Sequence, residues 1–204
     1  MNTSLQANPF TAPVWRQLLP FLLSISGTLT LYLFTTPRTV VLEDDGLFLM
    51  VAKHLGITHP PGYPLFTGIA HLFLQFPLGT DAFRGHIASA FLGALACGVL
   101  FGYARRASVY AALAGSWAFG ASEYFWSQVI IEVYTLNALL FFTVYLLMLK
   151  ALQASDSWTW WWGASIFFGL SLANHYPLMV LAFTGLLVLA LLVWRSVYYL
   201  VFQN

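Results

Sequence analysis

Charge is what this sequence has least of. Only 7% of its 204 residues are Asp, Glu, Lys or Arg, against 60% hydrophobic and 18% aromatic residues. A soluble domain carries roughly 25% charged residues, so this chain cannot cover a water-facing surface and a bilayer is its natural solvent. A basic excess is missing too. The formal net charge is +1, and the basic residues are scattered rather than clustered, which excludes an electrostatic nucleic-acid binder. Cysteine is nearly absent. Cys97 stands alone in an apolar run, which excludes an internal disulfide and a thiolate metal cluster and leaves a packing role. Internal repeats, low-complexity tracts and a soluble domain are not visible.

What is present is a series of charge-free stretches. Residues 17–37, 85–104, 107–122, 133–149 and 157–194 carry no charge. Crossing about 30 Å of hydrocarbon takes roughly 20 helical residues at about 1.5 Å each. The last run is therefore two helices, divided at Asn174-His175-Tyr176-Pro177, because proline removes a backbone donor and biases its predecessor away from helix. The pattern predicts an all-α polytopic bundle of about six spans, near 17–37, 82–104, 107–125, 133–150, 158–174 and 177–197. Residues 1–16 form a loose tail. The first span is read as an uncleaved anchor, since Thr35-Thr36-Pro37-Arg38 lacks a small-x-small cleavage site.

Residues 63–77 are apolar but only about 22 Å long as a helix. They are expected to lie in the interface, with His71 and Gln75 on one face. Charge tests that choice. With a cytoplasmic N-terminus, Arg16, Arg105, Arg106, Lys150 and Arg195 fall inside, and only Arg38, Lys53 and Arg84 outside, as the positive-inside bias favours. Glu43, Asp44, Asp45, Asp81, Glu123 and Glu132 then face the outer side, and Asp156 the inner.

The loop after the first span reads Glu43-Asp44-Asp45-Gly46, then Leu47 to Leu55, then Gly56-Ile57-Thr58-His59-Pro60-Pro61-Gly62-Tyr63-Pro64-Leu65. Asp44 or Asp45 is placed to cap a helix that presents Leu47, Phe48, Val51 and Leu55 on one face and ends at Gly56 in the left-handed position. The prolines fix His59 at a rigid corner. Each polar residue taken singly has an ordinary structural reading. The acids and Glu132 suit helix N-termini, Arg84 suits an interfacial anchor, Asn174-His175 suits a helix break, and the tryptophans from Trp158 to Trp162 suit an aromatic belt. Their conjunction says more. Asp44, Asp45, His59, Arg84, Glu132 and His175 all reach the outer face, beside apolar walls, an arrangement suited to a lipid-linked polar substrate.

Asp44-x-Gly46, Leu55-Gly56 and His59-Pro60-Pro61-Gly62-Tyr63-Pro64-Leu65 resemble the first outer loop of GT-C glycosyltransferases, above all a protein O-mannosyltransferase-like family. The likeness extends to Phe83-Arg84 with Ser89-Ala90, Phe125-Trp126-Ser127-Gln128 with Glu132-Val133-Tyr134-Thr135-Leu136-Asn137, and Gly169-Leu170-Ser171-Leu172-Ala173-Asn174-His175. It covers residues 20–190. It implies an inverting enzyme that moves a sugar, such as mannose, from a polyprenyl-phosphate donor to an extracytoplasmic acceptor hydroxyl on protein or glycan. An Asp of the first outer loop would be the general base. Asp44 matches it by spacing to His59, but the family usually reads Asp-x-Gly-Glu and this chain has Leu47 in the last place. Asp44 and Asp45 therefore both stay open as the base, with Glu132 as a further catalytic acid. His59, Arg84, Tyr134, Asn137, Asn174 and His175 are the expected substrate-binding residues.

The implied home is the inner membrane of a bacterium or the endoplasmic reticulum of a eukaryote. The outer acids leave room for a divalent cation, but no His/Cys cluster demands a metal. Residues 17–204 are short for the family, so the module is expected to be truncated at its C-terminus. The rival expectations are a non-catalytic binder of lipid-linked sugars, an inactive relative and, less favoured, a transporter, for which no inverted repeat is visible.

Overall fold

The computed structural model describes residues 14–41, 44–60, 62–154 and 157–202. Most of the expected tail, Glu43, Pro61 and Asp156 lie outside the described residues. The helices are α1 (Val14–Thr35), α2 (Asp45–His54), α3 (Pro64–Leu74), α4 (Asp81–Ala104), α5 (Val109–Gly120), α6 (Glu123–Trp126), α7 (Tyr134–Gln153) and α8 (Trp158–Phe202). A 3-10 turn, Ser127–Val129, follows α6. The described residues contain no strand. Among the described residues, α1, α4, α7 and the Trp158–Val188 stretch of α8 are long and apolar enough to cross a membrane, and the protein is an integral membrane protein.

Helix α4 is the centre of the bundle. It packs against α1, α3, α5 and α7, and its small residues Gly85, Ala88, Ser89, Gly93, Ala94, Ala96 and Gly98 are buried. Small residues let helices approach closely where lipid offers no hydrophobic drive between them. Cys97 sits in this seam, fully buried, as the packing role expected. Helix α1 has 22 residues, about 33 Å of helix. Its end is closed by Thr36, whose N–H and hydroxyl both reach the Tyr32 carbonyl at 2.7 and 2.6 Å, just before Pro37 stops propagation.

The span expected over 107–125 is broken. Helix α5 has only 12 residues, about 18 Å. The Gly120 carbonyl accepts the Tyr32 hydroxyl at 2.8 Å. Ser122 turns extended and caps α6 by accepting the Phe125 N–H. These competing bonds end α5, and the short α6 completes the passage to the level of Thr35, whose Oγ1 accepts the Trp126 indole N–H at 3.0 Å.

Helix α8 has 45 residues, with His175 at φ −144° and ψ 78° and Pro177 behind it. The break is a hairpin. Phe168 and Phe183, about 22 Å apart along a straight helix, touch edge to face at 4.9 Å. The first leg runs antiparallel to α7, with Asn174 against Asn137 and Gly163 beside Leu147. The second runs back with α7, placing Phe183 on Phe141 and Leu186 beside Tyr145. The division of this run into two helices is as the sequence predicts.

Helix α3 has 11 residues, about 17 Å, too short to cross the bilayer. It lies against α2, α4 and α8, and His71 Nδ1–H donates to the Ala52 carbonyl at 2.8 Å. Two local expectations for α2 fail. Its buried face is Asp45, Phe48, Val51 and Ala52, with Leu55 largely exposed. The left-handed residue is Leu55, at φ 51°, not Gly56. The turn comes one residue early because both Leu55 N–H and Gly56 N–H return to the Val51 carbonyl.

Candidate functional site

Asp44 and Asp45 are consecutive, and the start of α2 sends their carboxylates to different surroundings. Asp45 is fully buried. Its Oδ2 accepts the Val41 N–H at 2.6 Å, and its two oxygens face His86 Nε2 at 3.0 and 3.1 Å. His86, equally buried on α4, uses its other nitrogen on the Pro37 carbonyl at 2.9 Å. Asp44 is the N-cap residue but makes no side-chain cap bond. Its side chain is 52% exposed and faces His59 Nε2 at 3.1 Å.

His59 is presented by a tight turn. Its carbonyl accepts the Gly62 N–H at 3.0 Å, and Gly62 at φ 95° and Tyr63 at φ 48° then reverse the chain into α3. Glycine adopts such a φ freely. His59 Nδ1 faces the Pro60 carbonyl at 3.2 Å. That bond, followed by the bond to Asp44, holds the imidazole pKa above its ordinary value, because both acceptors favour the protonated ring.

A column of rings extends from this pair. His59 meets Tyr63 edge-on at 5.6 Å. Tyr63 stacks on His175 at 5.3 Å, and His175 lies against Tyr134 at 6.1 Å. The α8 hairpin therefore brings His175 to the start of α3 and α7. Glu132 is 5% exposed, and burial, with smaller contributions from the neighbouring Tyr134 and Glu132, raises the Tyr63 hydroxyl pKa. Its backbone is pinned to α4: Glu132 N–H donates to Ser89 Oγ, and Ser89 Oγ–H donates to the Glu132 carbonyl, both at 3.3 Å.

Other expected substrate residues are occupied within the protein. Asn174 Nδ2 donates to the Val133 carbonyl at 3.1 Å and to Asn137 Oδ1 at 2.8 Å. Both asparagines are buried, so they fasten the hairpin to α7. Arg84 donates to the Phe76 carbonyl at 2.7 Å and pairs with Asp81, which also takes Lys53 at 2.5 Å. Its partners thus lie on α4 itself and on the connection from α3. Beside it an apolar groove of about 180 Å³ is lined by Phe73, Phe76, Leu78 and Ile87. The structure therefore unites Asp44, His59, Tyr134 and His175 at one end of the bundle, with Glu132 beneath, and sets Asp45, Asn137, Asn174 and Arg84 into supporting bonds.

Sequence reasoning missed His86 and gave Tyr63 no role of its own. A histidine in an otherwise apolar helix demands a polar partner, and that signal was available. Among the described residues no three His, Cys, Asp or Glu side chains converge as a metal-ligand set.

The chain resembles known proteins over much of this region. The family described as protein O-mannosyl-transferase TMEM260 N-terminal domain matches residues 44–198. Protein O-mannosyl-transferase TMEM260 of Mus musculus is 35% identical over 138 residues, which are 65% of this chain and 19% of that protein. Protein O-mannosyl-transferase tmem260 of Dictyostelium discoideum is 44% identical over 52 residues, 26% of this chain and 6% of that protein. The chain thus spans no more than about a fifth of the length of these relatives. No solved structure matches significantly.

Proposed function

The chain belongs to the protein O-mannosyl-transferase TMEM260 N-terminal domain family, and on that premise we propose that it carries the catalytic loop of an inverting mannosyltransferase. The donor is a polyprenyl-phosphate mannose, the acceptor a hydroxyl on a protein, and the site lies at the extracytoplasmic face, in a eukaryote that of the endoplasmic reticulum. The observation that carries the reading is the exposed Asp44 carboxylate, held by His59 at 3.1 Å and followed by the Tyr63–His175–Tyr134 rings.

In the reaction, the acceptor oxygen attacks the anomeric carbon as the bond from that carbon to the phosphate oxygen breaks. Its proton passes to Asp44, and polyprenyl phosphate leaves with the bonding pair. A free Asp has a pKa of about 3.9 and is a weak base near neutrality, so orientation and charge stabilisation carry much of the rate. His59 serves the orientation: its Nε2 faces the Asp44 carboxylate at 3.1 Å while its Nδ1 is held by the Pro60 carbonyl at 3.2 Å. The tyrosine and histidine rings form a wall for the sugar, and Glu132 sets the field beneath it. The apolar groove beside Arg84 suits an isoprenoid tail.

The test is radiolabelled mannose transfer from polyprenyl-phosphate mannose to an acceptor peptide by the full-length protein. Transfer that depends on Asp44 supports the reading. Transfer undiminished in Asp44→Asn removes Asp44 as the base.

A further inference from the structure

The buried pair Asp45–His86 has no part in the reaction outlined above, yet it is a densely bonded polar feature near the site. Both side chains are fully inaccessible. A buried carboxylate is costly unless its oxygens are satisfied, and here both oxygens are engaged, by the Val41 N–H and by His86 Nε2. His86 Nδ1 meets the Pro37 carbonyl, which can only accept, so Nδ1 bears a hydrogen. The pair thus ties three pieces of chain together: the exit of α1 at Pro37 and Val41, the first residue of α2, and the second turn of α4. Asp44 is the residue next to this knot, and its backbone carbonyl starts α2 by accepting the Phe48 N–H at 2.9 Å.

We infer that Asp45 and His86 form a clamp that positions the Asp44 carboxylate, with Asp45 serving as a positioning residue and not as the base. The inference rests on the reading of Asp44 as base. The geometry is the reason. Asp45 reaches neither solvent nor an acceptor hydroxyl, whereas Asp44 stands open beside His59. Displacing a reacting group by about 1 Å can cost on the order of 100-fold in rate, so a fixed α2 start matters to the chemistry without touching it. The clamp also accounts for Asp45 standing next to Asp44: one is held so that the other is aimed.

Chemistry supplies a discriminating substitution. In Asp45→Asn the amide oxygen can accept the Val41 N–H while the amide N–H donates to Nε2 of a neutral His86, with Nδ1–H still on Pro37. The links to Val41, His86 and Pro37 each survive, and what is lost is the carboxylate charge and the second of its two contacts with Nε2. Asp45→Ala removes the bonds themselves.

The experiment measures kcat and KM for mannose transfer by the full-length protein in detergent, with radiolabelled polyprenyl-phosphate mannose and a serine peptide. Thermal unfolding of each variant is followed alongside. Asp44→Asn is expected to lose about 100-fold or more in kcat. Asp45→Asn should keep kcat within about threefold, while Asp45→Ala and His86→Gln lose about tenfold or more in kcat with donor KM little changed. If His86→Gln fails to fold, the contrast between Asp45→Asn and Asp45→Ala still decides. A collapse of Asp45→Asn as deep as that of Asp44→Asn overturns the clamp and gives Asp45 a chemical role. Full activity in Asp45→Ala or a folded His86→Gln also overturns it. Full activity in Asp44→Asn strikes at the base reading instead, and if Asp45→Asn alone is dead the base is Asp45.

Discussion

His175 stacks on Tyr63, with ring centroids 5.3 Å apart and planes inclined by 27°. One ring sits at the break of α8 and the other at the left-handed entry to α3. Two chain reversals, more than a hundred residues apart in sequence, thus meet at the end of the bundle that holds Asp44. The stack continues to Tyr134, which is substantially exposed. Replacing Tyr134 with Leu should raise the donor KM several-fold while leaving kcat within about twofold, since the change removes binding shared by ground and transition states. Steady-state transfer with varied donor checks this. A drop confined to kcat would place Tyr134 in the chemistry.

Asp44→Asn keeps the size of the side chain and its contact with His59 but removes the carboxylate that we propose as the base. Proton transfer by a positioned side chain contributes about 10²–10⁴-fold, and the loss in transfer rate should fall in that range. Elution of the variant from a sizing column in detergent should match the parent.

His59 should titrate above the ordinary histidine pKa of about 6.5, because the Pro60 carbonyl and then Asp44 favour its protonated ring. A folded pKa above the unfolded one stabilises the fold fully below the unfolded value and loses that contribution as pH rises through the folded value. The exposed setting of the pair keeps the effect on stability small. Histidine NMR on labelled protein should show a raised midpoint, and Asp44→Asn should lower it without removing the whole shift, since the Pro60 bond remains.

Asn174→Leu should destabilise the protein by about 1–3 kcal/mol, because the Val133 carbonyl and Asn137 Oδ1 each lose a buried donor. Thermal unfolding in detergent measures it. Asn137→Leu should be less than additive with it, as expected for residues that share one bond.

Gly120→Ala tests the seam between α1, α4 and α5. The added methyl would lie 2.8 Å from Thr28 Cγ2 and 2.9 Å from Cys97 Sγ, and overpacking of this kind costs about 1–3 kcal/mol. The unfolding temperature should drop, and Thr28→Ser, which deletes one of the two clashing atoms, should recover part of the loss.

Much of this was legible in the chain itself. Scarcity of charge dictated a membrane solvent, since polar surface was not there to face water. The uninterrupted runs marked α1, α4 and α7, and Asn174 to Pro177 marked the division of α8, because span length and proline chemistry are local properties. The short α3 followed from counting residues against bilayer thickness. The acidic loop and the His-Pro-Pro-Gly corner could be singled out for the same local reasons.

What the tertiary structure alone decided was the fate of neighbours. Asp44 and Asp45 are equivalent as letters, and nothing local separates an exposed carboxylate from a buried one. The separation comes from His86, 41 residues away on α4, and from Pro37 beyond it. The break in α5 came likewise from Tyr32 on another helix, and Asn137 and Asn174 turned inward because each is the other's partner. Sequence periodicity reports which residues share a helix face. It does not report which distant polar group will satisfy a buried one, and in a bilayer that pairing settles whether a polar residue fastens the fold or stands open to a substrate.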